Sequence, residues 1–223
     1  MEKFAFILHP LSLQDMEHLS PLMRYIPDPI IEACLKMKKP FKVSHITGIK
    51  SPYAEAEGWF IGCPLTAKQM VELPEEFVMD RIIESGKVAQ ELGAKIVGLG
   101  AFTSIVGDAG ITVAKNLDIA VTSGNSYTVA TAIQGTKQAA RMMGKDLKEC
   151  RAVVVGATGS IGAASVRLLA KEVKHITLVA RHMGPLEELA QELNEQNHCE
   201  VAVSQDIRTS LQEADIVITV TSA

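Results

Sequence analysis

The chain has 223 residues, of which 47% are hydrophobic and 22% charged, and its 26 acidic residues against 22 Lys and Arg give a net charge of −4. This length and apolar content suffice for one or two domains with buried cores. The acidic balance excludes the basic surface that nucleic-acid-binding proteins carry, so we expect no nucleic-acid partner. No stretch has the apolar length of a membrane span, and the N-terminus lacks the basic region and cleavage site of a signal peptide. We therefore predict a cytoplasmic protein without an integral membrane segment.

Four cysteines are scattered along the chain without a Cys-x-x-Cys pair: Cys34, Cys63, Cys150 and Cys199. This wide spacing favours reduced thiols in a cytosolic protein over disulfides or a structural zinc site, and we predict no metal site. Cys63 follows a predicted strand and is a candidate thiol nucleophile. Because no base lies near it in sequence, we predict a packed thiol instead.

The first half of the chain predicts alternating strands and helices. Short apolar runs predict strands at 4–8, 41–48, 58–62, 95–99 and 118–122. Apolar residues at helical spacing predict helices at 30–37 and 74–92. We expect His9, just past the first strand, to be satisfied by nearby backbone rather than to face a cleft. This alternation predicts an α/β domain.

Small polar residues follow two of these predicted strands. Ser104 lies in the loop after one strand, and Asn125 and Thr128 lie in the turn after another. Because α/β proteins bind ligands at the carboxyl ends of their strands, these three residues are candidate donors to a substrate carbonyl or oxyanion. A turn rich in Gly, Asn and Ser is also ordinary capping chemistry, with Asn125 or Ser126 as the N-cap of a helix that runs to Met143.

A domain boundary is predicted near Gly124. Residues 1–124 would form a substrate-binding α/β domain. Residues 125–223 would form a nucleotide-binding domain, led by a helix that bridges the two. The fold class is therefore α/β, with a Rossmann-type, doubly wound parallel sheet in the second domain.

The strongest motif in the chain is RAVVVGATGSIG, at 151–162. Its apolar β-branched run predicts a buried parallel strand, and its glycines precede an apolar-periodic helix. This order of strand, glycine turn and helix start is typical of dinucleotide binding, where the helix end receives the phosphates. The candidate cofactor residues of the turn are Gly156, Ala157, Thr158, Gly159, Ser160, Ile161 and Gly162.

The end of the next predicted strand, 175–179, indicates which dinucleotide binds. NAD enzymes usually carry Asp or Glu there to hold the ribose hydroxyls. Here the strand is followed by Ala180, Arg181 and His182, with no carboxylate before Glu187. Because a guanidinium can clamp a 2′-phosphate, we predict NADP(H) over NAD(H), with Arg181 and His182 in the site.

The last part of the chain predicts a third strand at 200–203, a short helical connection at 209–213 and a fourth strand at 215–220, in the sheet order 3-2-1-4. The loop after the fourth strand normally approaches the nicotinamide, which makes Thr221 and Ser222 candidate cofactor residues. A six-stranded domain would continue for two more strands, so we expect a sheet that is incomplete at its C-terminal side. Its exposed parallel edge predicts association into a homo-oligomer or poor stability.

Several separated stretches together resemble one family, the long-chain acyl-(acyl carrier protein) reductases that form fatty aldehydes. They are ILHPLSL at 7–13, ITG at 46–48, LGAFTSIV at 99–106, TSGNSYT at 122–128 and GATGSIG at 156–162. The resemblance implies an acyl-binding domain at 1–124 and an NADPH-binding Rossmann domain at 125–223. It implies acyl-carrier protein or acyl-CoA as the partner, and a reaction through an enzyme-cysteine thioester that hydride from NADPH reduces to an aldehyde.

The catalytic residues are left unknown by this resemblance. The family's nucleophile follows the fourth Rossmann strand, beyond residue 223, and none of the four cysteines matches it. The chain alone is therefore expected to be inactive as a reductase. Two alternatives stay open: an NADP oxidoreductase of the shikimate-dehydrogenase type acting on a small polar substrate, and a protein that binds NADPH without turnover.

Overall fold

The computed structural model describes residues 2–16, 24–195 and 199–221. Its contacts divide the chain into two compact units, Met1–Gly124 and Asn125–Ala223, which we call unit 1 and unit 2. Among the described residues, no helix has the length and apolar character needed to cross a bilayer. The same residues contain no group of three or more His, Cys, Asp or Glu side chains that could hold a metal ion.

Unit 1 is built around a five-stranded sheet with the order β2-β3-β1-β4-β5. Its strands are β1 (Glu2–Leu8), β2 (Phe41–Lys50), β3 (Glu55–Gly62), β4 (Ile96–Leu99) and β5 (Ala120–Thr122). Its α-helices are α1 (Asp28–Met37), α2 (Ala67–Glu72), α3 (Glu75–Glu91) and α4 (Ile111–Lys115), and 3₁₀ turns lie at Leu13–Met16 and Ala101–Ser104. Among these described strands, the β2–β3 pair is antiparallel and the other pairs are parallel.

The alternation of β1 explains how this sheet packs. Ala5 and Ile7 face the core, where they lie in one buried cluster with Ile82 of α3. On the opposite face, the ring of Phe6 lies over Gly98, whose absent Cβ would stand 2.5 Å from the ring. A glycine is needed there because any side chain would displace the aromatic ring. The α/β character predicted for this half of the chain is confirmed.

Unit 2 is a four-stranded parallel sheet with the order β8-β7-β6-β9. Its strands are β6 (Arg151–Val155), β7 (His175–Val179), β8 (Glu200–Ser204) and β9 (Ile216–Thr219). Its α-helices are α5 (Asn125–Met142), α6 (Ser160–Leu169), α7 (Met183–Glu195) and α8 (Ile207–Ser210), with a 3₁₀ turn at Leu147–Glu149. When these four strands are numbered in chain order, their order across the sheet is 3-2-1-4. This order confirms the predicted Rossmann-type sheet.

The apolar run in β6 places the strand at the centre of unit 2. Val154 is fully buried and lies in one cluster with Leu178 of β7, Val166 of α6 and Ile133 of α5. Removing each of these side chains from water stabilises the unit by about 1.5–3 kcal/mol. Val153 faces the opposite side of the sheet, in a smaller cluster with Val179. Burial on both faces is why this run is continuous rather than alternating.

The starts of two helices in unit 2 differ from the sequence-based expectation. Helix α5 begins at Asn125, so neither Asn125 nor Ser126 is its N-cap, and Gly124 precedes it with φ +77°. Helix α8 begins at Ile207, ahead of the predicted 209–213, because the Asp206 carboxylate accepts hydrogen bonds from the backbone of Arg208 and Thr209.

Candidate functional site

The glycine turn between β6 and α6 is anchored to the neighbouring strand. The backbone N–H groups of Gly156 and Ala157 both donate to the carbonyl oxygen of Val179, at 2.8 and 3.1 Å. The Gly159 N–H in turn donates to the Gly156 carbonyl at 3.1 Å. The first two amides are therefore engaged with the protein itself, and a ligand must use amides further along the turn.

Two of the three glycines are required by the turn itself. Gly156 has φ +83°, and a Cβ there would stand 2.8 Å from the carbonyl oxygen of Val220. A Cβ on Gly162 would overlap with the carbonyl of Gly156. Gly159 differs, because its φ is −70° and a Cβ would lie 3.4 Å from the nearest atom, an ordinary contact. The backbone therefore tolerates a side chain at Gly159, and glycine there leaves space in front of the helix end.

The first turn of α6 presents donors without acceptors. Gly159 is the N-cap and makes no side-chain capping bond, and the first intrahelical bond runs from Ala163 to Gly159. Within the described residues, no acceptor is recorded for the backbone N–H groups of Ser160, Ile161 and Gly162. Such amides, together with the partial positive charge of a helix N-terminus, form an anion-binding end.

The side chains of this segment divide between core and solvent. Ala157 is fully buried, so it can meet a ligand only through its backbone, whereas Ile161 is partly buried against the core of unit 2. Thr158 and Ser160 are exposed. The Ser160 hydroxyl oxygen accepts a hydrogen bond of 2.8 Å from the Asn125 side-chain amide. Sequence reasoning missed this contact, because nothing in the spacing of the two residues indicates it.

Arg181 lies just past β7, at the same edge of the sheet as the glycine turn. Its backbone carbonyl accepts a hydrogen bond of 2.5 Å from the Gln205 side chain, which fixes the main chain at this point. Arg181 and His182 are both exposed. In the part of the chain that the structure describes, neither side chain has a recorded ion pair or hydrogen bond. The guanidinium is therefore available for an anionic ligand.

The remaining predicted site residues lie in different places. Thr221 follows β9, next to Val220, whose N–H donates to the Val155 carbonyl of β6 at 2.9 Å. Ser222 lies outside the described residues. Thr128 lies in the first turn of α5, where its carbonyl accepts from the Thr131 hydroxyl. Ser104 belongs to unit 1, where its hydroxyl donates to the Ala101 carbonyl at 2.7 Å in a local 3₁₀ turn.

Burial makes the thiols of three cysteines harder to ionise than usual. Cys63 is fully buried, and burial raises the pKa of its thiol to about 11. Burial also raises the pKa of Cys150 and of Cys199 above the ordinary thiol range. Cys34 is exposed on α1. Because the thiolate is the nucleophile, these raised pKa values disfavour nucleophilic attack by the three thiols, and Cys63 is a packed thiol, as predicted.

The architecture and the match to a known family agree on the class of unit 2. A parallel sheet ordered 3-2-1-4, with a glycine turn between its central strand and the start of the following helix, is the arrangement of a dinucleotide-binding fold. Residues 137–223 match the family model of shikimate / quinate 5-dehydrogenase. Unit 2 is therefore a Rossmann-type unit of the class that binds nicotinamide dinucleotides.

Curated proteins that the chain is similar to include an aminotransferase and a reductase. It is 30% identical over 82% of its length to the aminotransferase PigE of a Serratia species, of which it covers 21%. It is 26% identical over 98% of its length to the long-chain acyl-(acyl-carrier-protein) reductase of Synechococcus elongatus, of which it covers 65%. The chain thus spans less than two thirds of either relative.

Among solved structures, the chain is similar to L-tryptophan dehydrogenase from Nostoc punctiforme. The two are 15% identical, with a TM-score of 0.44, and the match covers 98% of this chain and 56% of that one.

Proposed function

We propose that unit 2 binds NADP(H) in preference to NAD(H), and that the protein uses this cofactor in an oxidoreductase reaction. The observation that carries the proposal is the edge shared by the glycine turn and Arg181. The amides of Ser160, Ile161 and Gly162 suit a diphosphate, and the exposed guanidinium past β7 suits a further phosphate on the adenosine ribose.

The charge at the end of β7 supports NADP(H). A carboxylate at this place would accept the two ribose hydroxyls of NAD and repel a 2′-phosphate. Arg181 and His182 stand there instead, and the Asp206 carboxylate, two residues past β8, accepts hydrogen bonds from the backbone N–H groups of Arg208 and Thr209 at the start of α8. The Asp206 carboxylate is thus held at the start of α8, and the residues directly after β7 are cationic or neutral rather than acidic.

A small polar alcohol or ketone is the substrate class that the comparisons favour. The matched family model, which covers residues 137–223, is that of shikimate / quinate 5-dehydrogenase. With such a substrate, hydride passes between the nicotinamide and a carbonyl carbon, and no enzyme thiol is needed. This agrees with the burial of Cys63 and Cys150.

Reduction of a fatty acyl thioester to an aldehyde is the second candidate. It is supported by the similarity to the Synechococcus reductase over 98% of the chain, and by the sequence motifs that resemble that family. Acyl-carrier protein or acyl-CoA would then be the partner. Its thioester route needs a reactive thiolate, and Cys63, whose thiol pKa is raised to about 11, is unsuited to that role.

The test of the cofactor assignment is a calorimetric titration of the chain with NADPH and with NADH. We expect NADPH to bind at least about tenfold more tightly, because a charge-assisted bond to the 2′-phosphate is worth about 1.5–3 kcal/mol. Arg181→Ala should remove the preference by weakening NADPH alone. Arg141→Ala, at the far end of α5, is the matched control and should leave both affinities unchanged. Equal affinities for the two dinucleotides in the unmodified chain would overturn the assignment.

The substrate class is tested separately. Shikimate and quinate are offered with NADP⁺ and the appearance of NADPH is followed by its absorbance. Acyl-carrier protein or acyl-CoA thioesters are offered with NADPH and the aldehyde is detected by mass spectrometry. Turnover in one assay selects that substrate class. Tight NADPH binding with turnover in neither would favour a protein that binds the dinucleotide without catalysis.

A further inference from the structure

We propose that Asn125 is a positioning residue for the dinucleotide's diphosphate, and that it acts through the hydroxyl of Ser160. The inference rests on the proposed binding of NADP(H) to unit 2. The sequence makes Asn125 a candidate for substrate contact, and the structure instead puts its amide on the first residue of α6. Its side-chain nitrogen donates to the Ser160 hydroxyl oxygen at 2.8 Å.

The chemistry of this bond sets where the Ser160 proton goes. An amide NH₂ group only donates, so the hydroxyl oxygen is the acceptor and its own proton must be directed to another atom. No acceptor for that proton is recorded among the residues that the structure describes. The hydroxyl stands beside the backbone amides at the start of α6, so its proton joins a set of donors that suits an anion.

The position of Asn125 is fixed by the packing of its helix. Asn125, Val129 and Ile133 are spaced four residues apart and lie on one face of α5. Val129 and Ile133 are buried in the core of unit 2, with Val166 of α6 in the same cluster. The half-buried Asn125 continues this face to the helix start, where it meets Ser160. The hydrogen bond is thus held by two packed helices.

The neutral amide suits this role better than a carboxylate would. An aspartate of the same shape would add a negative charge beside the phosphate-binding amides. It would also accept the Ser160 proton and remove it from the ligand. Asn125→Asp is therefore predicted to weaken NADPH binding more than Asn125→Ala does, although both variants lose the same donor.

The experiment is a double-mutant cycle on the intact chain, with NADPH affinity measured by calorimetry. We expect Asn125→Ala and Ser160→Ala each to weaken binding by about fivefold to tenfold, and the double variant to lose no more than one of them, because both remove the same contact. Ser126→Ala, at the exposed next position of α5, is the matched control and should bind as the unmodified chain does.

A second ligand separates positioning from general damage to the unit. Adenosine 2′-monophosphate carries the 2′-phosphate and lacks the diphosphate. Asn125→Ala should leave its affinity unchanged, whereas Arg181→Ala should lower it. Thermal unfolding measured by circular dichroism checks that each variant is folded, and Asn125→Asp supplies a near-isosteric replacement should the alanine variant unfold.

The outcomes are distinct. Unchanged NADPH affinity in Asn125→Ala, additive losses in the double variant, or an equal loss of adenosine 2′-monophosphate binding would each overturn the positioning role while leaving NADP(H) binding in place. Failure of the unmodified chain to bind NADPH would instead overturn the proposed function, and this inference with it.

Discussion

The imidazole of His9 accepts a hydrogen bond from the backbone N–H of Phe102, with 3.2 Å between the ring Nε2 and the amide nitrogen. Its Nδ1 lies 3.0 Å from the Pro10 carbonyl, which can only accept, so Nδ1 carries the proton and the ring is neutral. The rings of His9 and Phe102 also meet edge to face, with 5.9 Å between their centroids. His9 thus joins the end of β1 to the loop after β4, where Ala101 has a φ of +48°.

This arrangement predicts that acid destabilises unit 1. Burial lowers the pKa of His9 below 6.5, although the Pro10 carbonyl and Asp15 oppose the shift. As the pH falls, the unfolded chain therefore binds a proton at His9 at a higher pH than the folded chain does. The contribution of neutral His9 to the stability of unit 1 is complete above about pH 6.5 and is lost below it. Protonation of Nε2 would also break the hydrogen bond from the Phe102 N–H, because two N–H donors would then face each other.

The measurement is urea unfolding at pH 7.5 and pH 5.5, followed by the fluorescence of Trp59, the single tryptophan, which is buried in unit 1. We expect His9→Gln to cost about 1 kcal/mol at pH 7.5 and less at pH 5.5. His182→Gln, at an exposed position of unit 2, is the control and should leave the unfolding midpoint at pH 7.5 as it is. A constant cost of His9→Gln at both pH values would contradict the assignment.

Gly159 is predicted to matter for the ligand and not for the fold. Its φ and ψ of −70° and 163° suit any residue, and a Cβ there meets only an ordinary contact. The side chain of Gly159→Val would fill the space through which a diphosphate approaches the helix end. We expect loss of NADPH binding, by more than about tenfold, with the thermal midpoint changed little. Binding at unmodified affinity would remove the turn from the site.

Gly162 is predicted to matter for the fold. A Cβ at this position overlaps with the Gly156 carbonyl, which is backbone and cannot rotate away. Gly162→Ala should destabilise unit 2 by about 1–3 kcal/mol, the usual range for overpacking. Gly135→Ala, in open space on α5, should instead stabilise the unit by about 0.5–1 kcal/mol. Chemical unfolding of both variants followed by circular dichroism tests the contrast, and equal effects would refute it.

Alkylation should follow the exposure of the thiols. Cys34 is exposed on α1, whereas Cys63 is fully buried with a thiol pKa raised to about 11. With iodoacetamide at pH 8, mass spectrometry should find Cys34 modified first and Cys63 only after unfolding. Incubation with an acyl-CoA should leave no acyl group on Cys63. Rapid alkylation of Cys63 in the folded chain would contradict its assignment as a packed thiol.

The sheet of unit 2 could be predicted because its strands carry their own pattern. A run such as Ala152–Val155 has few alternatives to a buried parallel strand, and each run is separated from the next by a helix, which requires parallel pairing. In unit 1 the same approach ended β2 at Gly48. The structure continues the strand to Lys50, because Gly48 takes φ +80° and forms an irregularity in the register rather than an end.

The contacts of the candidate site were harder to predict. The bond from Asn125 to Ser160 joins residues 35 apart and depends on the packing of α5 against α6, which no local spacing reveals. Local chemistry also favoured Asn125 as a helix cap, and the helix instead begins at Asn125 itself. The link from His9 to Phe102 spans 93 residues and follows from the pairing of β1 with β4, which the sequence did not specify.

The Val179 carbonyl ties the glycine turn to the strand that leads directly to Arg181. The separation between the amides at the start of α6 and the backbone of Arg181 is therefore set by main-chain hydrogen bonds and not by the size of neighbouring side chains. Core substitutions elsewhere in unit 2 should alter its resistance to heat without altering which dinucleotide it prefers. Cofactor choice and thermal robustness can accordingly be engineered independently of each other.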